Sequence, residues 1–188
     1  NIVNYNVGNR GLQFNITDLF MTIFNGWNKT IIRLPSLIVG TMFVLVLYFF
    51  IRRTIGVESA MFVTTIAAVL RWHVHYSRSA HPMHFAVLAF AASLYFIYFA
   101  IIKKDKLSFF LSGLFSGFAW HFVLTAWISI VPFIIYFFIK SITEKKFFSK
   151  NLIGIFAFFL GFWIFASMVV HNYFISQRIY FARIYEVS

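Results

Sequence analysis

Two residue types that bind ligands crowd into one short polar stretch of this chain, RWHVHYSRSAHPMH, from Arg71 to His84. It holds the arginines Arg71 and Arg78, the aromatic residues Trp72 and Tyr76, and the histidines His73, His75, His81 and His84. A guanidinium is a planar, permanently charged fork that matches phosphate or carboxylate oxygens. Arg33, beside Pro35, offers a second such fork, and Arg178 and Arg183 complete a possible anion-binding rim. The histidines admit three chemistries. His73-x-His75 with His81-x-x-His84 could surround Zn²⁺ or Cu²⁺. A single imidazole could move a proton or donate to a phosphate. His81 and His84 also stand one helical turn apart, a spacing that allows a shared face.

Acid–base chemistry has few candidates. The carboxylates are Asp18, Glu58, Asp105, Glu144 and Glu186. A general base on the outer face is then Asp18, Glu186, a histidine or a group outside this chain, and Asp18 is weighed against a plain role in the first turn of a helix, where a negative charge suits the helix dipole. Cysteine is absent, which removes thiol catalysis, disulfides and cysteine-bound metal. No nucleotide loop, nucleophile elbow or metalloprotease helix occurs.

Composition sets where this chemistry takes place. Of the 188 residues, 61% are hydrophobic, 22% aromatic and only 11% charged. Soluble domains carry about 45–50% apolar and about 25% charged residues. The mean hydropathy of +0.83 and long unbroken apolar runs point to transmembrane helices, because lipid offers backbone groups no partner outside a helix or a closed barrel. The net charge of +11 then reads as topology and lipid contact, not nucleic acid.

The elements that position the site follow from the runs. Thr17–Trp27 predicts a short amphipathic surface helix with Thr17 at its cap. Eighteen uncharged residues separate Arg33 from Arg52, twelve separate Glu58 from Arg71, and eighteen separate His84 from Lys103. Residues 107–139 form an uncharged run of 33, too long for one crossing of a bilayer core of about 30 Å and best read as a hairpin of two short helices turning near Trp120–Ala126. Asn151–Val170 is a last span, and residues 172–188 are expected to begin an outer loop. Placing Arg52–Arg53, Lys103–Lys106 and Lys140–Lys150 together inside requires about six crossings. The expected fold is all-α: a polytopic transmembrane helical bundle, one membrane domain over 1–188 and an internal fragment of a longer chain. All six histidines and six of eight arginines then lie outside, where arginine does not serve the orientation rule.

The order of motifs resembles a known family. RLPSLIVG at Arg33–Gly40, IRRTIG at Ile51–Gly56, WHVHYSRSA at Trp72–Ala80 and GLFSGFAW at Gly113–Trp120 are similar to the membrane region of the GT-C glycosyltransferases of the protein O-mannosyltransferase and aminoarabinose-transferase type. The resemblance covers nearly the whole chain. It implies a polyprenyl-phosphate sugar donor, a lipid, glycan or protein acceptor outside the cytoplasm, the bilayer as environment and no nucleic acid partner. It places Arg33 and the Tyr76-Ser77-Arg78 motif near the meeting of donor and acceptor, with His81 or His84 on donor phosphate or sugar hydroxyls. The family's catalytic acidic residues would precede Asn1. No cofactor is expected, a divalent metal being the open alternative, and the expected location is a prokaryotic cell membrane or, in a eukaryote, the endoplasmic reticulum. The competing reading is a multi-pass transporter or metal-handling protein using the outer histidines.

Overall fold

The computed structural model describes residues 11–26, 28–144 and 146–186, with side chains described except at 11–14, 124–125, 127 and 172–186. Among the described residues the chain is a bundle of eight α-helices without strands. They are α1 (Gly11–Ile23), α2 (Lys29–Thr54), α3 (Val57–Val69), α4 (Arg71–Arg78), α5 (Met83–Lys103), α6 (Lys106–Trp120), α7 (Val131–Thr143) and α8 (Phe147–Glu186). A 3-10 helix over Leu124–Ile130 leads into α7.

Three helical segments are long and apolar enough to cross a bilayer: Lys29–Thr54, Met83–Lys103 and Phe147–His171. Between them lie shorter apolar pieces, Val57–Val69, α6, and Ile128–Thr143. With 13 residues α3 reaches about 20 Å, short of a hydrocarbon core of about 30 Å, so it needs local thinning or help from its flanks. The three long segments and the shorter apolar helices make an all-α membrane bundle, with three of the six expected crossings long enough to span by length and composition. Exposed Leu37, Ile38, Met42, Leu45 and Phe49 on α2, and Phe156, Leu160, Trp163 and Ile164 on α8, then face lipid tails.

Lipid tails are as apolar as leucine, so helices associate through close packing and shared hydrogen bonds. The α6–α8 seam uses glycine. A methyl group on Gly113 would collide with the Phe158 carbonyl, and one on Gly117 with the Phe162 carbonyl. Gly161 and Gly154 open the same seam from α8, against α6 backbone and the Phe109 ring. Phe109, Phe133, Phe137 and Phe158 fill the core beside it. Where α5 meets α6, buried Ser93 donates to the Ser112 carbonyl at 2.6 Å, and Ser112 donates back to the Ser93 carbonyl at 2.8 Å. At its N-terminus Asp105 caps α6, accepting from Leu107 and Ser108 amides at 3.2 and 3.1 Å.

Several boundaries differ from the sequence expectation. Residues 17 and 18 lie inside α1 (Gly11–Ile23), so Thr17 is a buried mid-helix residue and Asp18 is not in a first turn. Trp27 lies outside the described residues. Asn28, whose side chain accepts from the Thr30 amide, starts α2 before Arg33. Pro35 therefore falls within the helix, where it cannot donate to the Ile31 carbonyl. The stretch expected as loop after residue 171 instead continues α8, a helix of 40 residues, to Glu186.

Candidate functional site

The polar island folds into α4 and the turn after it. The chain breaks from α3 at Leu70, in an extended conformation at φ −58° and ψ 128°. This break lets α4, polar and strongly amphipathic, leave the apolar course of α3 and expose Arg71, His75 and Arg78. A second turn follows at Ala80, whose φ of 50° is left-handed, a conformation that non-glycine residues adopt at a cost. His81 Nδ1 then accepts the Met83 amide at 3.2 Å, satisfying one of the first amides of α5.

Helix ends are tied together beside this island. Phe85 and Ala86 of α5 and Phe122 of the hairpin tip form a small core, with Ile16 of α1 and Val39 of α2 packed against it. The Phe85 and Phe122 rings stack at 4.9 Å. The N-terminal helix, the first span, the island and the hairpin tip thus meet at one end of the bundle.

At this end lies an open cleft of about 510 Å³, lined by Arg33, Val69, Arg71, Val74, His75, Arg78 and Ser79. Three guanidinium groups and one imidazole share its wall with two valines. No carboxylate is among the lining residues. Such a wall is built for an anion attached to something apolar, because each arginine offers forked donors while the valines accept hydrocarbon.

The expected site residues divide into two groups. Arg33 and Arg78 line the cleft, and Arg71 and His75 join them. Tyr76, His81 and His84 do not. They form an aromatic cluster on the bundle side of α4, with the Tyr76 ring 4.7 Å from His81 and 5.0 Å from Trp72. His84 is fully buried, its ring 4.8 Å from that of His73. Asp18 is exposed on α1 and is not among the residues lining the cleft. The side chains of Arg178 and Arg183 lie outside the described residues. Among the described residues no three His, Asp or Glu side chains gather as a metal-binding group.

Sequence reading missed the burial of His73 and the part played by Gly40. A side chain at Gly40 would meet Ser77 at 3.3 Å, His84 at 3.4 Å and His73 at 3.5 Å. The signal was a lone glycine in a span of large apolar residues, which marks a close helix approach. Burial in the fold lowers the His73 pKa below its ordinary 6.5, so the ring is neutral at pH 7.

Comparison with known proteins identifies the family of the chain. The family model described as Dolichyl-phosphate-mannose-protein mannosyltransferase matches residues 12–171, which include every helix from α2 to α7 and the whole cleft. No curated protein and no solved structure gives a match. The match spans most of the chain, and this integral membrane protein belongs to the dolichyl-phosphate-mannose-protein mannosyltransferase family of GT-C glycosyltransferases.

Proposed function

We propose that the arginine cleft binds the phosphate of a polyprenyl-phosphate sugar and that the chain takes part in transferring that sugar to a lipid, glycan or protein acceptor outside the cytoplasm. The observation that carries this is the convergence of Arg33, Arg71 and Arg78 on one cleft beside two valines. Lipid-phosphate donors present a charged head at the membrane surface and a hydrocarbon tail below it, the same division of chemistry found in this wall.

Transfer breaks the bond between the sugar's anomeric carbon and the phosphate oxygen. Negative charge grows on the departing phosphate, and donors fixed in advance stabilise it most where water is scarce. Arg78 and Arg33 are assigned this role, with Arg71 and His75 as further donors. The acceptor hydroxyl must lose its proton. Asp18 remains the acid–base candidate within the chain, as an exposed residue on a helix packed against α2. We place the cleft on the extracytoplasmic face, because the lysine-rich turns at the opposite helix ends satisfy the positive-inside rule. The host membrane follows as a prokaryotic cell membrane or the endoplasmic reticulum.

The test is sugar transfer from a labelled polyprenyl-phosphate donor in membranes carrying the full-length protein. Arg78→Ala should abolish transfer while insertion and abundance stay at wild-type level. Transfer at the wild-type rate would remove Arg78 from the site.

A further inference from the structure

Directly behind the cleft, three buried polar atoms lack a partner. They are Ser36 Oγ on α2, His73 Nδ1 on α4 and His84 Nδ1 on α5. Buried polar groups are nearly always hydrogen-bonded, so three unsatisfied atoms on three helices call for an explanation. Gly40, one turn along α2 from Ser36, is the residue whose missing side chain admits both rings.

The chemistry at His84 is constrained on every side. Its Nε2 lies 3.0 Å from the His73 main-chain oxygen. A carbonyl only accepts, so Nε2 carries the hydrogen. Protonating Nδ1 as well would create a fully buried cation. Around it stand Trp72, His73 and Tyr76 of α4, His81 of the following turn, and Gly40 of α2. None of these is acidic. A buried charge without a counterion is strongly disfavoured, so the ring is the neutral Nε2–H tautomer.

We propose that His84 is a positioning residue, whose neutral imidazole bonds α5 to the first turn of α4 and thereby aims Arg71 and Arg78 into the cleft. The inference rests on the reading of that cleft as a lipid-phosphate site. His73 is the third residue of the eight-residue α4, two after Arg71 and five before Arg78, so a bond to its carbonyl anchors the short helix that carries both. Among the described residues the ring contacts between α4 and α5 run through His84, whose ring lies 4.8 Å from His73, 6.0 Å from Trp72 and 6.4 Å from Tyr76. His73, whose pKa burial lowers, adds to the requirement that the pair stay uncharged.

The experiment is a titration of purified protein in detergent with farnesyl phosphate, using farnesol as the uncharged control, at pH 7.5 and 5.5. The variants are His84→Gln, which keeps a donor near Nε2 but does not titrate, His84→Leu, which removes the donor, and Arg78→Ala. His84→Leu should weaken binding about tenfold at pH 7.5, a loss of about 1.4 kcal/mol. His84→Gln should bind as wild type at pH 7.5 and lose less affinity on acidification. Acid also protonates the probe's phosphate, so the difference between the two pH profiles is the readout. Should His84→Leu fail to fold, the His84→Gln profile decides alone. Weakened binding in Arg78→Ala with unchanged affinity in His84→Leu and a wild-type profile in His84→Gln overturns the positioning role and leaves the cleft standing. Unchanged binding in Arg78→Ala overturns the cleft reading and the proposal with it.

Discussion

Arg33 of α2 and Arg78 of α4 wall the same cleft, although most of α2 and the whole of α3 lie between them in the chain. Hydrogen bonds to charged groups contribute about 1.5–3 kcal/mol. Arg33→Ala and Arg78→Ala should each weaken farnesyl phosphate binding roughly tenfold to a hundredfold, with farnesol binding unchanged. Arg78→Lys should recover only part of the loss, because an ammonium cannot form the planar fork. Isothermal titration of the three variants checks this; equal losses for farnesol would mean that the packing, not the charge, was removed.

The α6–α8 seam leaves no room at Gly113, where even a methyl meets the Phe158 carbonyl. Backbone cannot move aside as a side-chain tip can. Gly113→Ala should destabilise the bundle by about 1–3 kcal/mol, the usual range for overpacking. Gly56→Ala, at an inner turn with open space around it but a φ of 140°, should cost stability through backbone strain alone. Thermal melts in detergent separate the two, since only the Gly113 variant should also loosen α8, seen as faster proteolysis of its C-terminal part.

Ser93 and Ser112 exchange hydrogen bonds between α5 and α6. In membranes such pairs average about 0.6 kcal/mol by double-mutant cycles. Replacing either serine by alanine should cost about that much, and replacing both should cost less than the sum. Strict additivity in the cycle would show that the two hydroxyls act independently.

Acidification should weaken the fold at His73. Its folded pKa lies below the unfolded value of 6.5, so between the two the unfolded chain binds more protons. Stability is therefore fully present above pH 6.5 and falls as the pH drops below it. Melting temperature should be flat from pH 8 to 7 and lower at pH 5.5, and His73→Gln should reduce that decline. A decline of equal size in the variant would assign it to another group.

Much of the bundle was legible because lipid imposes a length rule. Uncharged runs bounded by lysine and arginine placed α2, α5 and the first part of α8, and the 33-residue run announced the α6–α7 hairpin. Helix ends were less legible. Asn28 caps α2 through a side-chain bond that its position in a polar stretch did not distinguish from a loop. Thr17 looked like a cap because polar residues precede it, yet tertiary packing buries it inside α1. At the site, Arg33 and Arg78 were readable as cations at span mouths. The division of the histidines was not. His75 faces the cleft while His73, two residues away, faces the core; on a short helix after an irregular break, sequence spacing does not say which face turns inward.

The most direct measurement of the central claim is where the donor head sits. A polyprenyl-phosphate sugar bearing a photoreactive group beside the phosphate, irradiated in membranes with the full-length protein, should label Val69, Val74 or Ser79 in the cleft. Excess unlabelled donor should suppress that labelling, and Arg33→Ala with Arg78→Ala should abolish it. Specific labelling confined to the lysine-rich turns at the opposite helix ends, with the cleft unmarked, would contradict the account.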